Sequence, residues 1–444
     1  MKIKQFEYEP LAHFSYAIVS NGEMMVVDPE RNPMKYYAFA KANNAKIVAV
    51  FETHPHADFV SSHLQMHKET GAIIYVSNKV GADYPHHPFD EGDTLQIGGI
   101  VITAINTPGH SPDSIAIVAK DGKKVALFTG DTLFIGDVGR PDLREKAGNM
   151  KAKRQELAEM MFQTIQHKFT GLPDNALVYP AHGAGTLCGK NISSDKSSTL
   201  GNERMGNWAF KEQTKEKFID ALLDGQPFIP SYFGYNVDTN KTGAPILRNA
   251  LAKIPFKLNG AIDNGALVID VRDEATFKRG HIKGSLNIQA TSKSAKFETW
   301  LGAIVEPDEK FNLVIEHPKD LEDILERVAV IGYEVNLLSV ATSDTMNLET
   351  MESLDLNDFK KHPDNYTIVD IRNTSEVEEE KFFESAISHP LNELRETAND
   401  IPTDKPIVVH CAGGYRSAAG SSIIKNKISG TKVYDLSDDI EKFK

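Results

Sequence analysis

Thr53-His54-Pro55-His56-Ala57-Asp58-Phe59 follows the apolar run Ile47-Val48-Ala49-Val50-Phe51. That run is rich in β-branched residues and reads as a buried strand. The residues after it gather two imidazoles and a carboxylate at a strand end, where loops usually hold sites. Nitrogen and oxygen donors this closely spaced suit zinc, iron or manganese. Phe59 then sets an apolar ring where the row of donors stops.

At 444 residues the chain exceeds the usual size of one hydrophobic core, which predicts two to four domains. Hydrophobic content of 41% and charged content of 25% are ordinary for a soluble globular protein. No apolar run approaches the ~18 residues of a membrane span. The start, Met1-Lys2-Ile3-Lys4-Gln5-Phe6-Glu7, lacks a signal-peptide core, so a cytoplasmic location with no membrane partner is expected. A net charge of −13 argues against nucleic acid as a partner but leaves small anions open. Two cysteines, Cys188 and Cys411, are too few for a disulfide framework, so each is a candidate reactive thiol.

Residues 1 to about 185 alternate short Val/Ile-rich strands with Gly, Pro and Asp turns. Gly99–Ile105 and Lys124–Phe128 are examples, and helices are expected over 150–168 and 210–224. Further donors lie in loops that follow strands: His110 in Thr107-Pro108-Gly109-His110-Ser111, Asp131 in Gly130-Asp131-Thr132, and His182 in Pro180-Ala181-His182-Gly183. An aromatic connector punctuated by Pro and Gly runs to about residue 254. Beyond it Leu267-Val268-Ile269-Asp270-Val271-Arg272 recurs as Thr367-Ile368-Val369-Asp370-Ile371-Arg372, which predicts a duplicated α/β domain.

In their order and spacing, His54, His56, Asp58, His110, Asp131 and His182 resemble the metallo-β-lactamase superfamily. There a second His normally follows the Asp of the first motif. Phe59 stands in that place, which removes a nitrogen donor from the second of two metals and predicts a single-metal site. The segments Glu52–Asp58, Thr107–His110, Gly130–Phe134 and Gly136-Asp137-Val138-Gly139-Arg140-Pro141-Asp142 are more specifically similar to the persulfide dioxygenases of that superfamily. This resemblance implies one Fe(II) per chain on His54, His110 and Asp131, with open positions for substrate sulfur and O2. His56, Asp58 and His182 would then orient the ligands or water. Arg140 either pairs with Asp142 or holds an anionic substrate. Cys188, in Thr186-Leu187-Cys188-Gly189-Lys190, either relays sulfur near the metal or is simply packed, and Lys190 would contact the substrate thiol's anionic groups.

The second chemical motif is His410-Cys411-Ala412-Gly413-Gly414-Tyr415-Arg416-Ser417, between a strand and a helix expected over 418–424. Gly413 and Gly414 let the backbone curl so that amides face the sulfur. With Arg416 at a helix start, such a nest favours a thiolate or an anionic persulfide. The Cys-to-Arg spacing is one residue shorter than in phosphotyrosine phosphatases and resembles the rhodanese sulfurtransferases, which carry sulfane sulfur as Cys-S-S⁻. Gly413, Gly414 and Tyr415 would line that site. In the first copy of the repeat, Gly280–Ile288 resembles a rhodanese hallmark. Matching Leu313–His317 to Ile407–Cys411 puts His317 at the cysteine position and Glu322 at the arginine position, which predicts a silent copy. Phe382–Ile387 is a degraded form of the same hallmark in the second copy.

Together these resemblances imply an α/β chain. An αββα metallo-β-lactamase sandwich over 1–250 is followed by a pseudo-rhodanese domain over 255–347 and an active rhodanese domain over 350–444. They imply oxidation of a low-molecular-weight thiol persulfide to sulfite and thiol, then transfer of sulfane sulfur through Cys411 to sulfite, giving thiosulfate. Persulfide, O2 and sulfite are the expected partners, and the superfamily suggests a homo-oligomer. The rival expectation is a mononuclear-zinc thioester hydrolase similar to glyoxalase II, with a sulfurtransferase tail. A third treats the rhodanese pair as a docking module.

Overall fold

In the computed structural model the apolar run becomes the strand Lys46–Phe51, fourth in a six-stranded sheet. The structure describes every residue except 145–152, 259–261, 263–264 and 343–347. Its described residues form two compact units, Met1–Asn249 with Ala329–Gly332, and Ala250–Val328 with Tyr333–Lys444.

In the first unit, one sheet runs Lys2–Tyr8, His13–Ser20, Glu23–Val27, Lys46–Phe51, Ile73–Val76, His87–Pro88, each strand beside the next. The other runs Ser198–Thr199, Leu177–Pro180, Lys124–Gly130, Ile115–Asp121, Ile100–Asn106, Thr94–Ile97. Phe14, Ile18 and Phe51 of the first sheet share one buried cluster with Ile102, Ile117 and Phe128 of the second. The sheets therefore pack face to face. Helix Met34–Ala42 covers the outer face of the first sheet through Tyr36 and Ala40. Helices Arg154–His167 and Lys215–Leu223 cover the second through Met161, Ile165 and Phe218. This is an αββα sandwich. Of the helix expected over 150–168, positions 150–152 lie outside the described residues. Strands with both faces covered read as unbroken apolar runs, as Ile115–Ala119 does, and are buried throughout.

The second unit holds two parallel sheets. One has the order Phe256–Lys257, Leu337–Thr342, Phe311–Ile315, Leu267–Asp270, Leu286–Asn287, and the other Ile387–Ser388, Thr367–Asp370, Ile407–His410, Val433–Asp435. Pairing corrects the alignment of the two copies. Leu267 lies opposite Phe311 and Asp270 opposite Val314, whereas Thr367 lies opposite Ile407 and Asp370 opposite His410. The matching backbone bonds agree, Val271 N to Val314 O and Ile371 N to His410 O. Phe311, not Leu313, therefore answers Ile407. Counting on, Ile315 stands at the Cys411 position and Asp320 at the Arg416 position, in place of His317 and Glu322. Apolar runs of similar length align equally well two residues apart, and only the strand register separates them. The absence of a thiol from the first copy is unaffected.

The copies pack on each other within this unit. Ser422, on the helix Tyr415–Lys427, accepts the backbone N–H of Asn287, and Asn426 donates to Gly284 O. Lys278 pairs with Asp435 and Arg395 with Glu309.

Candidate metal centre and cysteine loop

Four strands deliver the donors. Lys46–Phe51 leads into His54, Ile100–Asn106 into His110, Lys124–Gly130 into Asp131 and Leu177–Pro180 into His182. The last two strands are parallel neighbours, so Asp131 and His182 emerge at the same sheet end. Donor atoms of His54, His110 and Asp131 all lie within 4.8 Å of one another, and all three residues are buried. His110 Nε2 is 3.5 Å and His54 Nε2 3.8 Å from Asp131 Oδ2.

The outer hydrogen bonds fix which nitrogen carries the lone pair. His110 Nδ1 is 2.8 Å from Arg140 O, a carbonyl that can only accept, so Nδ1 is protonated and Nε2 is left to coordinate. Thr53 Oγ1 donates to Asp28 Oδ2 at 2.9 Å and so accepts from His54 Nδ1 at 3.1 Å, which also leaves Nε2 as the donor atom. Asp131 Oδ2 is buried without a hydrogen-bond partner, a costly state for a carboxylate unless a cation lies beside it. Two imidazole lone pairs converging on an unpaired carboxylate oxygen fit one transition-metal ion. Burial alone would raise the Asp131 pKa, but His182, His54 and His110 hold it well below the usual carboxylate range.

The second-metal position is differently filled. His182 bridges two carboxylates, with Nδ1 2.8 Å from Asp131 Oδ1 and Nε2 2.8 Å from Asp58 Oδ2. Both contacts are satisfied only by the doubly protonated ring. Burial lowers its pKa, but the two carboxylates outweigh this and hold it well above the ordinary imidazole value. The other donor groupings that include His182 therefore compete with these bonds. Phe59, 1% exposed, sets its ring 4.5 Å from His56 and 3.9 Å from His13. His56 turns toward Asp28, with Nε2 3.3 Å from Oδ1.

Arg140 forms a two-pronged ion pair with Asp142 at 2.7 Å on each arm, and its third nitrogen donates to Leu187 O. Three of the five N–H donors of its guanidinium are engaged in these bonds, and its carbonyl aligns His110. Cys188 lies beside the donors, within 4.8 Å of Asp58 and His182, and burial followed by Asp58 and Asp131 pushes its thiol pKa well up. Lys190 does not face the cluster. Its ammonium caps the last turn of helix Lys215–Leu223 on Ala221 O and Asp224 O, which corrects its expected substrate role.

Cys411 is buried at the end of strand Ile407–His410, and its Sγ accepts the Gly414 N–H at 3.2 Å. Gly414 has φ +94°, and an added Cβ would stand 2.8 Å from Asp438 N, so the curl requires glycine. Gly413 is exposed on the same loop. The Tyr415 hydroxyl donates to Gln289 O at 2.8 Å, so the hydroxyl is committed to a backbone carbonyl. Arg416 directs both terminal nitrogens to Glu376, at 2.6 and 2.7 Å.

Sequence reasoning overlooked His13, Asp28 and Glu376. Asp28 ends the strand Glu23–Val27 with φ +48°, an uncommon left-handed conformation, and a strand-ending Asp before Pro29 was its only signal. His13 opens the strand His13–Ser20 with no motif around it. Glu376 could be found only by asking which carboxylate answers Arg416.

Residues 8–182 match the Metallo-beta-lactamase superfamily, and residues 256–328 and 355–444 match the Rhodanese-like domain. Hydroxyacylglutathione hydrolase of Dictyostelium discoideum is 30% identical over 230 residues, 49% of this chain and 77% of that protein. Mitochondrial persulfide dioxygenase ETHE1 of Bos taurus is 28% identical over 177 residues, 39% of this chain and 65% of that protein. A solved metallo-beta-lactamase from Staphylococcus aureus superposes with a TM-score of 0.69 at 32% identity, covering 77% of this chain and 99% of that one. The chain belongs to the metallo-β-lactamase superfamily, and it joins that domain to C-terminal rhodanese-like domains. It is an enzyme with a metallo-hydrolase fold and a sulfurtransferase portion.

Proposed function

We propose that the chain oxidises a low-molecular-weight thiol persulfide to sulfite and thiol at one Fe(II), and passes sulfane sulfur through Cys411 to sulfite. The observation that carries this reading is the single-ion donor set: His54, His110 and Asp131 converge, while Phe59 and a doubly bonded His182 take up the second position. Held by those three residues, Fe(II) would supply positions for the persulfide sulfur and for O2. The protein's own part is orientation. Thr53 and the Arg140 carbonyl aim the two imidazoles, and His182 holds Asp131 and Asp58 in place through a hydrogen bond to each. The overall step is RSSH + O2 + H2O → RSH + SO3²⁻ + 2H⁺.

At the second site the Gly414 amide faces the sulfur of Cys411, and the loop stabilises the outer sulfur once it is bound as a persulfide. The likeness to ETHE1 and the rhodanese match support persulfide oxidation and sulfur transfer in general. Likeness to a hydroxyacylglutathione hydrolase favours a second reading, metal-assisted thioester hydrolysis. Oxygen uptake separates them. Anaerobically purified protein given glutathione persulfide should consume O2 and release sulfite, with no cleavage of S-lactoylglutathione. Thioester cleavage without O2 uptake would overturn the dioxygenase reading.

A further inference from the structure

Arg416, the cation of the cysteine loop, is neutralised by a carboxylate from outside the loop. Glu376 meets both its terminal nitrogens, and the side chains keep 33% and 15% of their surface exposed. The Trp300 ring lies 5.9 Å from the Arg416 guanidinium carbon. Glu376 sits in the first turn of helix Thr374–Glu379, where it also accepts the Asn373 N–H at 3.1 Å.

The two copies separate what the fold needs from what the chemistry needs. Both keep the buried Asp–Arg pair, Asp270 with Arg272 and Asp370 with Arg372, each at 2.6 Å, and each arginine also donates to a backbone carbonyl at 2.8 Å. That pair belongs to the scaffold. Where the second copy has Cys411, Arg416 and Glu376, the first, by strand register, has Ile315, Asp320 and Thr276. Thiol, cation and carboxylate are all missing from the copy that lacks chemistry. Glu376 therefore goes with the reaction and not with the fold.

We propose that Glu376 is a specificity-determining residue of the Cys411 site: by cancelling the charge of Arg416 it keeps abundant oxyanions out of the amide nest and sets the cost of admitting a dianionic acceptor. This rests on the reading above, in which sulfite is the acceptor. The sulfite lone pair attacks the outer sulfur of the Cys411 persulfide and forms the S–S bond of thiosulfate. The bond to Sγ breaks, and its electron pair stays on the Cys411 thiolate. Three negative charges enter the step and three leave it, as Cys-S-S⁻ + SO3²⁻ → Cys-S⁻ + S2O3²⁻. With Arg416 held by Glu376, such an acceptor must compete with a resident carboxylate, whereas cyanide, which enters as HCN and attacks as CN⁻ once its proton has passed to solvent, brings no oxyanion to the guanidinium.

The test uses the full-length protein, its Cys411 first loaded with glutathione persulfide and then mixed with sulfite or cyanide. Glu376→Gln keeps an acceptor for Asn373 N–H, since Glu and Gln both serve at that cap position. Glu376→Thr carries the residue of the folded first copy. In both variants KM for sulfite and the inhibition constant for inorganic phosphate should fall by about three- to tenfold, with thiocyanate formation changed by less than about twofold. Sulfite and cyanide rates falling together, or phosphate inhibition unchanged, would overturn the proposal. Wild-type protein that turns cyanide into thiocyanate but makes no thiosulfate from sulfite would instead overturn the acceptor reading on which it rests.

Discussion

Thr53 shows how much of the candidate metal site depends on residues outside the converging donor set. Its hydroxyl gives its proton to Asp28 and its lone pair to His54 Nδ1, so the tautomer of one metal ligand is set two residues deep. Thr53→Val keeps the volume and removes that relay. Metal affinity should fall by about 10- to 100-fold, measured by competition with a chromophoric chelator, on top of a loss of stability of the metal-free protein of about 1–3 kcal/mol from the donor removed from Asp28. An unaltered affinity would mean the relay is idle. The three residues whose donors converge were legible in the sequence, because each follows an apolar strand inside a short motif. Their supports were not. Asp28 acts through a carboxylate and Arg140 through a carbonyl that only the folded chain brings to Thr53 and His110, and Lys190 looked like a ligand contact until the structure placed its ammonium on a helix end.

Among the elements, the turn 136–142 carries the tightest constraint. A Cβ on Gly139 would come 1.9 Å from Asp131 O and 3.0 Å from His110 Nδ1. Gly139→Ala should therefore expel the metal while Cys411-dependent thiocyanate formation persists, and retention of metal would contradict that packing. The helix Tyr415–Lys427 and the strand Ile407–His410 invite a second test. Burial lowers the pKa of His410 and of His281, so both are neutral when folded. An unfolded imidazole titrates near about 6.5, and between the folded value and that point the unfolded chain binds the extra protons. Stability is thus complete above that window and is lost as pH falls through it. The chain has two tryptophans, so in a Trp208→Phe variant Trp300 alone reports. Its urea midpoint should drop between pH 7.5 and pH 5.5, and a flat midpoint would count against the assignment. The repeat itself was visible in Leu267–Arg272 and Thr367–Arg372, but its register was not, because a shift along an apolar run changes no composition.

Over the whole molecule, the duplication is countable in the repeat of Leu267–Arg272 as Thr367–Arg372, whereas the sandwich and the rhodanese fold were implied by the resemblance of the motifs to known families. The pairing of the two rhodanese copies is not countable in this way, since Gln289 and Trp300 of the first copy lie far from the cysteine loop in sequence and meet it only after folding. The two chemistries should be separable. His110→Ala should abolish sulfite formation and leave thiosulfate:cyanide sulfur transfer intact, and Cys411→Ser should do the reverse. Loss of both activities in either folded variant would contradict two independent sites.

Anaerobic titration of the metal-free protein with ferrous ion, followed by elemental analysis of the washed protein, addresses the central claim most directly. Binding should saturate at one iron per chain and be lost in Asp131→Asn. Saturation at two, with Asp58 and His182 required for the second, would mean that Phe59 and the bridged His182 do not close the neighbouring position.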